Sequence, residues 1–278
     1  AIIYESRTLV WNKNYAGWIL LPNIEQVQAN EKHVFYTIKA KNDAIHVYRA
    51  NVTTPHEHEQ FLLPQHEQNK IAQISTFAFG NTVAIVSTEG QLWVYGSDAS
   101  LLGMNINSAG VEIETPTLLQ LPTPYNYTHE RVRQVSVGYQ HTVFFTESGL
   151  IFAFGANQWK QCTRAQSLLI TSPILLQFPS TDMNTTIAQV VSSHSFTLFV
   201  FRVSQDSVHM LVRGLVEPTT ASAPLDDYLV PPDMLFSSPA AALLDQEKTT
   251  FQPLLHIETS TQSFITTNSK TGKLLIFG

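Results

Sequence analysis

The sequence predicts an all-β fold, a single β-propeller of six or seven four-stranded antiparallel blades. Three observations carry that prediction. A unit of strand type starts alike at Gln26 ("QVQANEKHVFYT"), Gln73 ("QISTFAFGNTVAIVST"), Gln134 ("QVSVGYQHTVFFT") and Gln189 ("QVVSSHSFTLFVF"). From Gln26 to Gln73 is 47 residues, to Gln134 a further 61 and to Gln189 another 55, a drifting period of the kind propellers and repeat arrays show. Each start leads into paired runs of β-branched and aromatic residues, a hairpin that is marginal alone in water and needs cover for its apolar face. Helical periodicity is nearly absent. Only Pro239 to Lys248, "PAAALLDQEK", predicts a short helix, with proline at its first position.

Taken in order, one domain of six units is expected: 1–25, 26–70, 71–130, 131–186, 187–250 and 251–278. The first, "AIIYESRTLVWNKN" followed by "GWILLPN", holds a hairpin and a tail but no leading strand. Hairpins then end at "AIHVYRAN" near Tyr48, "GQLWVYGSD" near Gly96 and "GLIFAFGAN" near Gly155, with "SVHMLVRG" at Gly214 the weakest. Behind them, polar stretches carry the apolar elements "FLLPQ", "TLLQLP" and "ILLQFP", so each unit is three or four strands plus a long loop. The longest loop is expected at 216–251. The last unit, "HIETSTQSFITTNSKTGKLLIFG", supplies a leading strand and a hairpin without a tail. These incomplete end units, and an Ala1 start with neither Met nor a signal-peptide pattern, predict truncated or processed ends.

Composition narrows the function classes. Hydrophobic residues are 44% and charged ones 14%, with 16 Phe, which suits a packed chain of short strands. A net charge of −6 without any basic run argues against nucleic acid as the partner, since that binding needs clustered Lys and Arg. The single Cys162 excludes an intrachain disulfide framework and suits a reducing compartment, with the thiol expected to be partly buried. Three Asn-x-Thr sequons, at Asn51, Asn126 and Asn184, are no more than chance supplies and do not argue secretion. No apolar run reaches the roughly 18 residues of a membrane span. An intracellular location, cytoplasmic or nuclear, is expected.

The units "VRQVSVGYQHTVFFTESGLIFAFGANQWKQC" and "IAQISTFAFGNTVAIVSTEGQLWVYGSDASLLGMN" carry a resemblance. They resemble the repeat of the regulator of chromosome condensation family, a leading strand, Gly-x-x-His, a strand ending in Thr, an acidic-Gly turn, an aromatic strand, then Gly-x-Asn-x-x-Gly-Gln-Leu-Gly. Matching positions are Gly138, His141, Thr146, Gly149, Phe154, Gly155 and Asn157 in one unit. In the other they are Thr88, Gly90, Trp93, Tyr95, Gly96, Leu102 and Gly103. The Gly-Gln-Leu-Gly element has become Leu101-Leu102-Gly103 and Lys160-Gln161-Cys162, and the units from Gln26 and Gln189 keep little beyond spacing. The resemblance implies a propeller and, as one activity of the family, guanine-nucleotide exchange on a Ran-like small GTPase.

Candidate chemistry is sparse. "TPHEHEQFLLPQHEQ" gathers His56, His58 and His66 among glutamates in a loop, but no His-Glu-x-x-His forms. Asp226 and Asp227 are paired in a proline-rich segment read as surface loop. Nucleophile-elbow, phosphate-loop and dinucleotide motifs are missing, so no catalytic, cofactor or metal residue is assigned. Gly90, Gly96, Gly103, Gly138, Gly149 and Gly155 are assigned to turns and strand ends, and His141, like His33, to holding a turn by hydrogen bonding. Tyr125, Tyr127, Trp159 and Tyr228 are the expected loop aromatics for contact with a protein partner. The expected function is a non-enzymatic interaction scaffold or adaptor that docks a protein on one propeller face, with the long segment 216–251 as the expected docking element; the alternative is the exchange factor.

Overall fold

The structure, a computed structural model, describes residues 2–4, 7–12, 17–22, 24–30, 32–39, 45–51, 58–61, 63, 71–77, 80–106, 110–122, 129–178, 186–202, 208–214, 225–229, 257–259, 264–267 and 274–277, with side chains described only between 27 and 214. These residues form six antiparallel sheets. The first is β1 (Ile2–Tyr4), β2 (Arg7–Asn12) and β3 (Gly17–Pro22). The second is β4 (Ile24–Ala29), β5 (His33–Lys39), β6 (Ile45–Asn51) and β7 (His58–Gln60). The third is β8 (Ile71–Thr76), β9 (Val83–Ser87), β10 (Leu92–Gly96) and β11 (Ile113–Leu118), with one 3₁₀ turn, Ala99–Leu101, between its last two strands. The fourth is β12 (Val132–Val137), β13 (His141–Thr146), β14 (Ile151–Ala156) and β15 (Leu169–Leu175). The fifth is β16 (Thr186–Ser192), β17 (Phe196–Arg202), β18 (Val208–Gly214) and β19 (Leu225–Leu229). The sixth is β20 (Ile257–Thr259), β21 (Phe264–Thr267) and β22 (Leu274–Phe277).

Each sheet is a meander in which consecutive strands pair. From the second sheet onward, the leading strands β4, β8, β12, β16 and β20 touch in succession, as they do around a common axis. Middle strands are sandwiched between neighbouring sheets. Every residue of β13 and β14 is therefore buried, and their sequences read as unbroken apolar runs without alternation. Phe144 stacks on Phe152 at 5.2 Å inside this layer. One apolar cluster runs from Val86 and Val94 through Val135 and Phe144 to Phe199, across three sheets. Phe35, Phe61, Ile74 and Tyr95 join the second sheet to the third. Each buried Phe side chain contributes about 1.5–3 kcal/mol by leaving water, which is the cover the isolated hairpins lack.

Leading strands do alternate. β8 and β12 bury the same three positions, Ile71, Ile74 and Thr76 in one and Val132, Val135 and Val137 in the other. A β-bulge sits at the same place in four leading strands, with the register shifting between Ile24 and Gln26, Ile71 and Gln73, Val132 and Gln134, and Ile187 and Gln189. The bulge turns the following glutamine out of the regular pleat.

Two sequence expectations are corrected at the rim. His58 lies not in a loop but in β7, opposite Ala50, and 216–251 is not loop throughout, because Leu225–Leu229 is the fourth strand of its sheet. Asp226 and Asp227 are in that strand. Outermost strands have one solvated edge and tolerate polar sequence, so their composition resembles that of loops. Pro239 to Lys248, His56 and His66 lie outside the described residues.

Candidate functional site

Antiparallel order divides the connections between two rims. The upper rim holds the turns from first to second strand (138–140 and 193–195 in the fourth and fifth sheets) and, among the described residues, the connections from third to fourth strand, 97–106 with 110–112 and 157–168. The lower rim holds the hairpin turns 88–91 and 147–150 and the crossings to the next sheet.

Between sheets, side chains of one leading strand complete the backbone of the next. Gln73 Nε2 donates to the Val135 carbonyl at 2.9 Å while its Oε1 accepts from the Val135 N–H at 3.0 Å. Ser75 Oγ accepts from the Val137 N–H at 3.0 Å. One sheet on, Gln134 Oε1 accepts from Val190 N–H at 3.0 Å and Ser136 Oγ from Ser192 N–H at 2.7 Å. These groups lie on the open edge of an innermost strand, where no further strand is available to pair them.

The upper rim of the fourth sheet is built on Asn157, which is fully buried. Its Oδ1 accepts from the N–H groups of Cys162 (3.0 Å) and Thr163 (2.9 Å), and its Nδ2 donates to the carbonyls of Ala165 (3.3 Å) and Ser167 (2.8 Å). One amide thus folds the whole connection. Cys162 was expected partly buried and is fully buried, its thiol directed at the Ala156 carbonyl at 3.3 Å, and burial pushes its ionisation upward. Lys160 takes the left-handed conformation at φ 61°.

His141 opens β13 and is also buried. Thr197 Oγ1, on the fifth sheet, donates its proton to the Gln161 carbonyl at 3.0 Å, so the ring Nε2–H of His141 donates to Thr197 Oγ1, also at 3.0 Å. Burial above all, with His194 nearby and the Phe196 backbone opposing, lowers its pKa to about 3. The imidazole is neutral and joins two sheets. His33, whose N–H donates to Asn30 Oδ1 at 2.8 Å, has its pKa lowered by burial and then by Arg49 and Lys32. Arg213 of β18 is buried as well, donating to the Cys162 carbonyl at 3.0 Å with its guanidinium 4.8 Å from the Phe178 ring. Tyr139 and His194 stack at 4.5 Å across the same pair of sheets.

The glycines answer to backbone proximity. A Cβ on Gly138 would stand 2.3 Å from the Ser193 carbonyl oxygen of the next sheet. Third-strand glycines form a set, since a Cβ on Gly96, Gly155 or Gly214 would meet the carbonyl of Asn81, Gln140 or Ser195 at 2.6, 2.4 or 2.4 Å. Gly90, Gly103 and Gly149 have φ of 78°, 73° and 88°. Among the expected contact aromatics, Trp159 is half-buried on the upper rim, its backbone N–H donating to Gln161 Oε1 at 2.9 Å. Tyr228 is in β19 opposite Val212, and Tyr125 and Tyr127 lie outside the described residues. The sequence reading brought together Gly138 and His141 but missed Gln73, Gln134, Ser75, Ser136 and Arg213. The recurring Gln-x-Ser was a readable signal for four of them.

At the lower rim, Arg131 donates to the Thr88 carbonyl at 2.8 Å and pairs with Glu147 at 3.3 Å, fixing adjacent hairpin turns. A cleft of 440 Å³ opens between the fourth and fifth sheets, walled by Leu175, Phe178, Ile187 and Phe201 with Arg133 and Glu147 at its edge. Among the described residues no three His, Cys, Asp or Glu side chains come together as a metal site would require, and no helix is long and apolar enough to cross a membrane.

Residues 132–158 match the family described as the regulator of chromosome condensation (RCC1) repeat. The chain is 29% identical to human protein RCC2 over 92 residues, which cover 32% of this chain and 16% of RCC2. In fold it is similar to human WBSCR16, with a TM-score of 0.64 and 14% identity over 92% of this chain and 61% of that one. It is also similar to a chain of the structure of Kap60 bound to yeast RCC1, with a TM-score of 0.59 and 12% identity over 88% of this chain and 54% of that one. The chain therefore spans only part of each of these proteins. In fold it is a β-propeller, and residues 132–158 of its fourth sheet match the RCC1 repeat.

Proposed function

We propose that the chain is a non-enzymatic scaffold or adaptor subunit that docks a protein partner on one propeller face. The observation that carries this reading is the use made of the chemically versatile buried groups. His141 Nε2, the Asn157 amide, Gln161 Oε1 and Arg213 Nη1 each bond to the backbone or a side chain of their own connection or of a neighbouring sheet. None of them is aimed at a shared point where a substrate atom could sit, which is the geometry that acid, base or nucleophilic catalysis needs. A stiff disk with two rims of loops is instead a platform for recognition. Yeast RCC1, a protein of similar fold, was solved with the protein Kap60 bound to it, which supports a protein as the class of partner.

The test is affinity purification of the tagged full-length protein from its native source, with mass spectrometry, followed by a nucleotide-release assay on any GTPase recovered. A stoichiometric partner that is not a GTPase, with no accelerated release, is the expected result. A GTPase that co-purifies empty and loses nucleotide faster in the presence of the chain would replace the scaffold by the exchange factor.

A further inference from the structure

We infer that Ser167, on the upper-rim connection of the fourth sheet, is a phosphorylation site for a protein kinase whose substrate groove is acidic where it meets the third residue before the acceptor and apolar where it meets the residue after it. The modification goes beyond the scaffold reading and does not rest on it.

The sequence offers a kinase of that kind two places to act. An arginine precedes a serine or threonine by three residues at Arg133-Gln134-Val135-Ser136 and at Arg164-Ala165-Gln166-Ser167, and nowhere else in the chain. The fold closes the first. Ser136 lies inside β12, half-buried, where its hydroxyl oxygen accepts from the Ser192 N–H at 2.7 Å and its carbonyl accepts from Ser192 Oγ at 3.1 Å. Reaching it means parting the fourth sheet from the fifth. The fold presents the second. Residues 164–168 are exposed without a break and belong to no strand or helix, as a segment must be to lie along an enzyme's groove.

Each determinant is on the surface. Arg164 supplies a planar, permanently charged fork that carboxylates grip in a bidentate way. Its side chain is exposed, so whatever it touches on this rim is exchanged at the small cost of a surface contact. Leu168, directly after the acceptor, is 67% exposed and open to an apolar pocket. No acidic residue occurs between Glu147 and Asp182 in the sequence, so the segment itself carries nothing that repels an acidic groove. The segment is anchored through its backbone, with Asn157 Nδ2 donating to the carbonyls of Ala165 and Ser167 and Lys160 Nζ to that of Ala165. The acceptor hydroxyl is at the surface as well, donating to the Leu169 carbonyl at 2.7 Å.

ATP balances the transfer. Ser167 Oγ attacks the γ-phosphorus as its proton passes to the kinase's catalytic carboxylate, the new O–P bond forms as the bond to the β,γ-bridging oxygen breaks, and ADP leaves. The phosphate carries roughly −1.5 to −2 charges at pH 7. Lys160 and Arg164 are the charged side chains of 157–168, so the connection passes from cationic to nearly neutral and loses its donor to the Leu169 carbonyl.

The test is incubation of the full-length chain with Mg-ATP and a calcium/calmodulin-dependent protein kinase, which reads an arginine three residues before the acceptor, with sites mapped by tandem mass spectrometry. Phosphate should appear on Ser167 and not on Ser136. Arg164→Ala should slow the transfer roughly tenfold or more, the scale of one charge-assisted hydrogen bond, while Arg133→Ala, the same change at the shielded motif, should leave the rate as it is. A loosened fold would free the segment and speed its modification, so a slower rate reports lost recognition. No phosphate on Ser167, modification of Ser136 in its place, or equal rates for the wild type and Arg164→Ala would overturn the assignment.

Discussion

Gln73 and Val135 are joined at two points, the side-chain amide of one satisfying both backbone groups of the other across the gap between the third and fourth sheets. The contact does in one residue what a fifth strand would do for the open edge of β12. Gln134 repeats the acceptor half of it on Val190.

This difference predicts unequal responses to one substitution. Gln73→Glu places a carboxylate oxygen against the Val135 carbonyl and should cost about 1–3 kcal/mol, the usual penalty for a buried group stripped of its partner. Gln134→Glu keeps an acceptor for Val190 N–H and should cost clearly less. Urea unfolding midpoints of the two variants decide the matter, and equal losses would contradict the pairing.

Asn157 uses both ends of its amide, so its two conservative replacements separate them. Asn157→Asp retains the acceptor for Cys162 and Thr163 but loses the donor to Ala165 and Ser167. Hydrogen exchange should stay slow at the Cys162 and Thr163 amides in Asn157→Asp and become fast in Asn157→Ala, with a stability loss of about 2–4 kcal/mol in the latter.

Gly138 and Gly149 make opposite demands. Gly138→Ala drives a methyl group toward a backbone carbonyl of the next sheet and should cost about 2–4 kcal/mol. At Gly149 nothing lies within 4 Å of the added carbon, and only its φ of 88° resists. Gly149→Ala should therefore cost about 1 kcal/mol, and Gly149→Asn less, since asparagine tolerates the left-handed region. Thermal unfolding of the three variants checks the order.

His141 predicts acid sensitivity. Its folded pKa, about 3, lies below the ordinary 6.5, so the unfolded chain binds the extra proton between these values. The stabilising preference is fully present above about pH 6.5 and is lost as pH falls toward 3, at no more than about 1.4 kcal/mol per pH unit. His33, lowered in the same direction, adds to the slope. Unfolding free energies of the wild type and His141→Asn at pH 7 and pH 5 should show a smaller pH loss in the variant. Parallel losses would contradict the buried neutral imidazole.

The strand order and the repeat were legible because buried middle strands such as β13 and β14 must be apolar on both faces, and such runs cannot be disguised. Rim strands β7 and β19 were not legible. Their solvated edges admit His58, Asp226 and Asp227, and pairing with a neighbour, not composition, makes them strands. Gln26, Gln73, Gln134 and Gln189 were visible as punctuation, but their purpose was hidden, since the group that Gln73 satisfies lies 62 residues away. Arg213 reads in sequence as a strand-end cation and becomes intelligible only when the Cys162 carbonyl and the Phe178 ring are brought to it. Leu168 carries no sequence signal, because exposure is decided by the fold of its connection.

Sedimentation velocity of the tagged full-length protein, purified gently from its native source, tests the scaffold most directly. The account predicts that the chain sediments as part of a defined complex with a non-GTPase protein, and that the complex withstands added GDP and GTP. A chain that sediments alone, or a complex with a GTPase that free nucleotide dissolves, would contradict it.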